Sequence, residues 1–184
     1  MTLAPLPAQS SALDEETARA EIYGLLSALG AFLEEPWRAL VGVARSISDQ
    51  AVQSEYDTLF GGTGKPAVYL YGSHFLSGFL NEKPLARLRT ELASLGLTRD
   101  DAMSETEDHF AYLCEVMRYL IAGDDVAVAN LTRQRTFFAV HLQPWVLRMC
   151  DDIQQHPEAL FYACLAQFTR SFVGVEIQGF DMLD

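Results

Sequence analysis

From Phe110 to Leu120 the apolar residues Phe110, Leu113, Val116, Met117 and Leu120 recur three and four positions apart. That spacing makes one stripe on a helix, whereas a half-buried strand needs alternation. A capping box stands in front of the stripe. Ser104 is placed to accept the amide of Glu107, and the Glu107 carboxylate to reach back to the amide of Ser104. The sequence therefore predicts a helix from Ser104, with Asp108 and His109 in its first turn. A carboxylate there is favoured by the positive end of the helix dipole. An imidazole there is free to donate to whatever docks. On this stretch alone, Glu105, Glu107 and Asp108 read as ordinary helix-start acids, and His109 as a packing residue.

The same period governs most of the chain. Residues 1–13 read as a mobile tail. From Asp14, the residues Ala18, Ile22, Leu25, Leu26, Leu29, Phe32 and Leu33 fall on one helical face. Pro36 stops this helix or starts a short one through Leu40. A further helix spans about Ser48 to Phe60. Ser73 is placed to cap a helix near His74. Pro84 suits the first turn of the next, with Leu85, Leu88, Leu92 and Leu95 inside and Gly96 past its end. Gly123 ends the central helix, and Asp124 is placed to cap another through about Val140. Pro144 and Pro157 open the last two, and the stretch from Val173 to Asp184 reads as a loosely held tail. The one strand-like run, A-V-Y-L-Y from Ala67 to Tyr71, is short and meets Gly72. The fold predicted is all-α: a single helical bundle-like domain over 14–172, in two unequal halves joined by a polar hinge at about 97–104.

Composition narrows the function classes. Thirteen Lys and Arg stand against twenty-five Asp and Glu, a net charge of −12. A nucleic-acid backbone or an anionic membrane surface needs clustered cations, so the charge argues against both as partners. A cationic partner fits, because a negative field speeds the encounter. The first eleven residues lack Lys and Arg, so no charged leader region is expected there. No apolar run approaches a membrane span. The three cysteines, Cys114, Cys150 and Cys164, each fall in an apolar helical pattern and read as reduced, buried and inert. A cytoplasmic protein is expected.

Motifs for catalysis are incomplete. No Glu-x-x-His occurs, although Glu105 and His109 are four apart, so no metal is expected. Ser73, His74 and Asp108 are the residue types of a nucleophile set, but no G-x-S-x-G elbow holds them. G-T-G-K, from Gly62 to Lys65, invites a phosphate-loop reading. It fails because Pro66 stands where Ser or Thr is needed, and Leu59 where the first glycine belongs. No cofactor is expected, and nothing in the sequence supports a bound guanine nucleotide. H-L-Q-P-W, from His141 to Trp145, reads by itself as a helix start with Trp145 in the core.

Several segments in order carry a family resemblance. They are S-E-Y-D-T-L-F-G-G (Ser54–Gly62), Y-G-S (Tyr71–Ser73), P-L-A-R-L-R (Pro84–Arg89), L-G-L (Leu95–Leu97), E-D-H-F (Glu107–Phe110) and H-L-Q-P-W. Over roughly 14–172 the chain resembles the TorD/DmsD/NarJ family of molybdoenzyme maturation chaperones. The resemblance implies an all-α fold without catalysis. It also implies binding of the twin-arginine signal peptide and apo form of a molybdenum enzyme's catalytic subunit, with cofactor insertion assisted and export delayed. It places the family's Asp-His pair on Asp108 and His109, and its aromatic-Gly-Ser element on Tyr71, Gly72 and Ser73. Where the family often has proline two positions before this Asp, the chain has Thr106. A guanidinium needs carboxylates and an apolar stretch needs a groove. The expected peptide-binding residues are therefore Asp108, His109 and Glu107 with Tyr71, Ser73, Phe75 and Phe110. Glu105 is a further acid and Phe79 a further aromatic. Two other readings stay open: a small helical hydrolase using Asp108 and His109, and an adaptor for a folded partner. The protein is expected as a monomer or, through the hinge, a domain-swapped dimer.

Overall fold

The computed structural model describes residues 33–61, 65–80, 83–100 and 104–182. Residues 1–13, the part of the helix expected from Asp14 that precedes residue 33, and the Gly62–Gly64 part of G-T-G-K lie outside them. The described residues form eight helices: α1 (33–46), α2 (Asp49–Leu59), α3 (Gly72–Ser77), α4 (Lys83–Ser94), α5 (Phe110–Ala122), α6 (Leu131–His141), α7 (Val146–Gln155) and α8 (Phe161–Asp181). Tyr71 and His109 make an isolated antiparallel bridge, and no strand occurs among the described residues.

Where local chemistry decides, the sequence and the fold agree. Ser48 caps α2, accepting the Ala51 amide. Leu85, Leu88 and Leu92 line the inner side of α4, and Gly96 follows it at φ +73°, the left-handed conformation a helix end favours. Gly123 caps the end of α5. The helices pack in neighbouring pairs, α7 along α8, α5 on α6 and α3 on α4, while α2 crosses to α8. Trp145, Phe137, Leu85, Leu88, Leu113 and Leu120 meet at the centre, each at most 1% exposed. Each such side chain stabilises the fold by about 1.5–3 kcal/mol. The expected hinge at 97–104 falls between α4 and α5, and 101–103 lie outside the described residues.

Several expected ends move, each for a tertiary reason. The capping box at Ser104 does not form. The Ser104 hydroxyl donates to Glu105, and the Glu107 carboxylate pairs with Arg89. Helix α5 begins at Phe110 and its cap is His109, whose Nδ1 accepts the Ala111 amide at 3.3 Å. Ser73 does not cap α3; it lies inside that helix. Asn130, not Asp124, caps α6, accepting the Arg133 amide. Helix α1 runs past Leu40 to residue 46.

The largest revision is at the C-terminus. Residues expected to hang loosely continue α8 to Asp181; Val173 and Val175 are buried, and the Phe180 ring lies 5.3 Å from that of Phe138. Pro157 does not open this helix. Its first amides, of Leu160, Phe161 and Tyr162, are accepted at 2.8–3.0 Å by the Glu55 carboxylate of α2. The cysteines also divide: Cys150 is buried, Cys164 half-buried and Cys114 exposed. Burial pushes the Cys150 thiol up to about 12. No helix among the described residues is long and apolar enough to cross a membrane.

Candidate functional site

The strand-like run before α3 finds its use here. Residues 70–72 lie antiparallel to the chain entering α5. The Phe110 amide donates to the Leu70 carbonyl at 2.8 Å, and the Gly72 amide to the Asp108 carbonyl at 3.0 Å. These two bonds clamp the Y-G-S element against the Asp-His element, which lie 35 residues apart in sequence. Gly72 lets the clamp pack closely on Trp145. A Cβ there would come within 3.2 Å of the Trp145 indole nitrogen, tighter than ordinary contact.

Asp108 is 3% exposed. One carboxylate oxygen accepts the Ser73 amide of α3 at 2.8 Å, and the other accepts the Thr106 hydroxyl at 2.6 Å. Tyr71, the residue that caps α3 by position, gives it no side-chain bond. Asp108 is therefore the cap of α3, supplied from another segment. Asp108 and His109, adjacent in sequence, turn to different partners. The hydrolase reading needs them to act together, and this geometry does not favour it.

His109 sits between two tyrosines, its ring 5.2 Å from that of Tyr71 and 5.6 Å from that of Tyr112. Burial lowers its pKa, against the opposing pull of Glu105 and Asp108. The Tyr71 hydroxyl donates to the Glu105 carboxylate. Burial, and then this bond, push the phenol well above its ordinary range. Glu105 is outside any helix, so it shares no helical face with His109.

Glu107 faces the other way. Arg89 of α4 grips it with two parallel bonds, Nε and a terminal nitrogen each 2.9 Å from one carboxylate oxygen. This pairing holds the Glu107 carboxyl below its usual value. The Glu107 side chain is 11% exposed and that of Arg89 49%. Beyond the pair, a groove of about 380 Å³ runs between the end of α4 and α5. Leu92, Leu97, Tyr112, Val116 and Tyr119 line it, with Thr98, Arg99 and Glu115.

The structure thus brings Tyr71, Glu105, Glu107, Asp108 and His109 to one corner. It does not bring the remaining expected residues to the surface there. Ser73 is 1% exposed and Phe75 8%. Phe75 stacks on Trp145 with ring centres 5.4 Å apart, and Phe110 meets the same indole edge-on at 6.2 Å. Both build the floor under the corner. Phe110 also reaches a second apolar groove of about 410 Å³, between α5 and α8. Phe79, by contrast, is 70% exposed at the end of α3. The H-L-Q-P-W segment is a corner brace: the Trp145 indole donates to the His141 carbonyl at 2.6 Å, and His141 Nε2 lies 2.7 Å from Glu91.

Sequence reasoning missed Arg89 and Tyr112. Tyr112 lies three residues beyond His109, so helical spacing carried a signal for it. Arg89 is eighteen residues from its partner, and nothing local linked them. Among the described residues no group of three or more His, Cys, Asp or Glu is arranged to hold a metal.

A family model described as the nitrate reductase delta subunit matches residues 25–151, which include the whole corner. Among curated proteins, the chain is 24% identical over 136 residues to a chaperone protein TorD from Vibrio parahaemolyticus, covering 70% of this chain and 63% of that relative. It is 24% identical over 170 residues to a chaperone protein TorD from Vibrio cholerae, covering 89% of this chain and 73% of the relative.

Proposed function

This chain belongs to the nitrate reductase delta subunit family, and on that premise we propose that it is a non-catalytic cytoplasmic chaperone for a molybdenum-containing redox enzyme. Its client is the apo form of the catalytic subunit, held through a twin-arginine signal peptide until the cofactor is inserted and export can proceed. The observation that carries this reading is the corner itself. Two carboxylates, Glu105 and Glu107, flank an aromatic set of Tyr71, His109 and Tyr112, and an apolar groove leads away from Glu107. A peptide with two arginines followed by an apolar stretch matches that order of chemistry. The guanidinium fork pairs with a carboxylate, and the apolar stretch covers the groove.

The roles divide by burial. Glu105 and Glu107 touch the peptide, as do Tyr71 and His109. Asp108, with one bond on each oxygen, is a positioning residue that fixes the loop bearing Glu105 and Glu107 against α3. Ser73, Phe75 and Phe110 act from beneath, as the anchored amide and the aromatic floor. The net charge of −12 draws in a cationic peptide.

The test is calorimetric titration with a twin-arginine peptide bearing its apolar stretch, beside the same peptide with both arginines changed to lysine. Tighter binding of the arginine form, by about tenfold, is expected from bidentate pairing. Equal binding of the two would leave the protein an adaptor that does not read the arginines.

A further inference from the structure

The Arg89–Glu107 pair has an asymmetry that bears on how a client would enter. Glu107 is fixed: its side chain is mostly buried, on a loop clamped by Asp108 and the two backbone bonds to residues 70 and 72. Arg89 is half in water, on the outer part of α4. Its guanidinium meets Glu107 fork to fork at 2.9 Å on both arms. That is the geometry an arginine from another chain would adopt on the same carboxylate. The pair also sits where the α4–α5 groove begins, since Glu107 lines that groove and Arg89 does not.

We infer that Arg89 is an internal stand-in for the client's arginine: it occupies Glu107 in the unloaded protein, and the client's guanidinium displaces it. The inference rests on the peptide-binding reading above and adds the event by which the peptide docks. The exchange replaces one bidentate pair by another, and Arg89 regains full hydration as it leaves. A lysine makes no fork and is a poor competitor for a carboxylate already held on both oxygens. The preference for arginine comes from the fork, and the stand-in raises the concentration that either peptide needs by the same factor, set by the fraction of molecules in which Glu107 is occupied. With its arginine on Glu107, the peptide's apolar stretch lies along Leu92, Leu97, Tyr112 and Val116. Arg99 lines the same groove and adds positive field at Glu107, so the peptide shares the site with it. Glu115 on the rim keeps Arg118 as its partner.

The experiment is titration of the full chain with the twin-arginine peptide, for wild type, Arg89→Gln, Glu107→Gln and the double variant, with a melting curve for each. Arg89→Gln is expected to tighten binding about three- to tenfold, the range for losing a partly exposed competing pair. Glu107→Gln is expected to weaken it, and the double variant to bind as weakly as Glu107→Gln alone, because the gain requires the carboxylate. The tightening should shrink at high salt. Wild type that binds while folded Arg89→Gln binds equally or more weakly would overturn the stand-in and leave Arg89 as a brace for Glu107. Wild type that does not bind the peptide at all overturns the peptide reading itself, and the stand-in with it.

Discussion

Asp108 shows how far one residue's role depends on where its oxygens point. As a first-turn acid it would be dispensable, since Ser104 and Glu107 would hold the helix without it. As the buried cap of α3 it is not: Asp108→Ala strands the Ser73 amide and the Thr106 hydroxyl. The expected loss is about 1–3 kcal/mol of stability, measured as a lower denaturant midpoint. Asp108→Asn keeps an acceptor for Ser73 and should lose less. Wild-type stability in the alanine variant would mean that the cap contributes nothing. His109 gives a pH-dependent counterpart. Its Nδ1 accepts an amide only while unprotonated. Burial lowers its native pKa below the ordinary 6.5. Above 6.5 both native and unfolded states are neutral and the full stability is present. As pH falls below 6.5, the unfolded chain takes a proton that the native chain refuses, so stability declines until the native value is passed. His74, also lowered by burial, acts in the same direction. His109→Asn keeps a capping acceptor and loses the titration. Its stability should therefore fall less than that of wild type between roughly pH 7.5 and roughly pH 5.5. Parallel losses in the two proteins would place the effect elsewhere.

At the scale of elements, the helix middles follow their apolar period and the helix starts follow their neighbours. Glu55 is the clearest case. It sits mid-helix in α2, 8% exposed, and its carboxylate takes three amides at the start of α8. Nothing around Pro157 announces this, because the cap is more than a hundred residues away. Glu55→Ala removes the cap and opens space between α2 and α8. It is expected to cost about 2–3 kcal/mol and to speed hydrogen exchange at the amides of residues 160–162, with exchange in the middle of α5 little changed. Uniform acceleration across the molecule would mean that Glu55 acts on global stability alone. The end of α8 reads in the sequence as a loose tail, and wrongly: Val173, Ile177 and Phe180 keep helical spacing, but the glycines among them mask the stripe. The start of α5 was legible only in part. The apolar stripe gives its body, but the capping box lost to stronger claims, since Arg89 offers Glu107 a charged fork and the chain before His109 is held extended by residues 70–72.

For the molecule as a whole, helical periodicity and the distribution of apolar residues were enough to determine an all-α chain and most of its core. Leu85, Leu88, Leu92, Leu113, Met117 and Leu120 are read from spacing and found buried. The resemblance carried by short segments pointed to Asp108, His109 and Tyr71 as candidate site residues, and the fold brings these three together. The sequence could not say which acids face water. Glu105, Glu107 and Asp108 are chemically alike and lie within four positions, yet one meets a phenol, one an arginine and one a buried amide. It could not say that Phe75 and Phe110 lie under the site, because that depends on Trp145 arriving between them. Local spacing indicated most of the residues that leave water, since an apolar stripe is a property of one helix, but Cys114 lies in such a pattern and stays exposed because no neighbour covers it. Only the tertiary structure decided the partners of each polar group, since a hydrogen bond is satisfied by whichever segment the packing brings within about 3 Å.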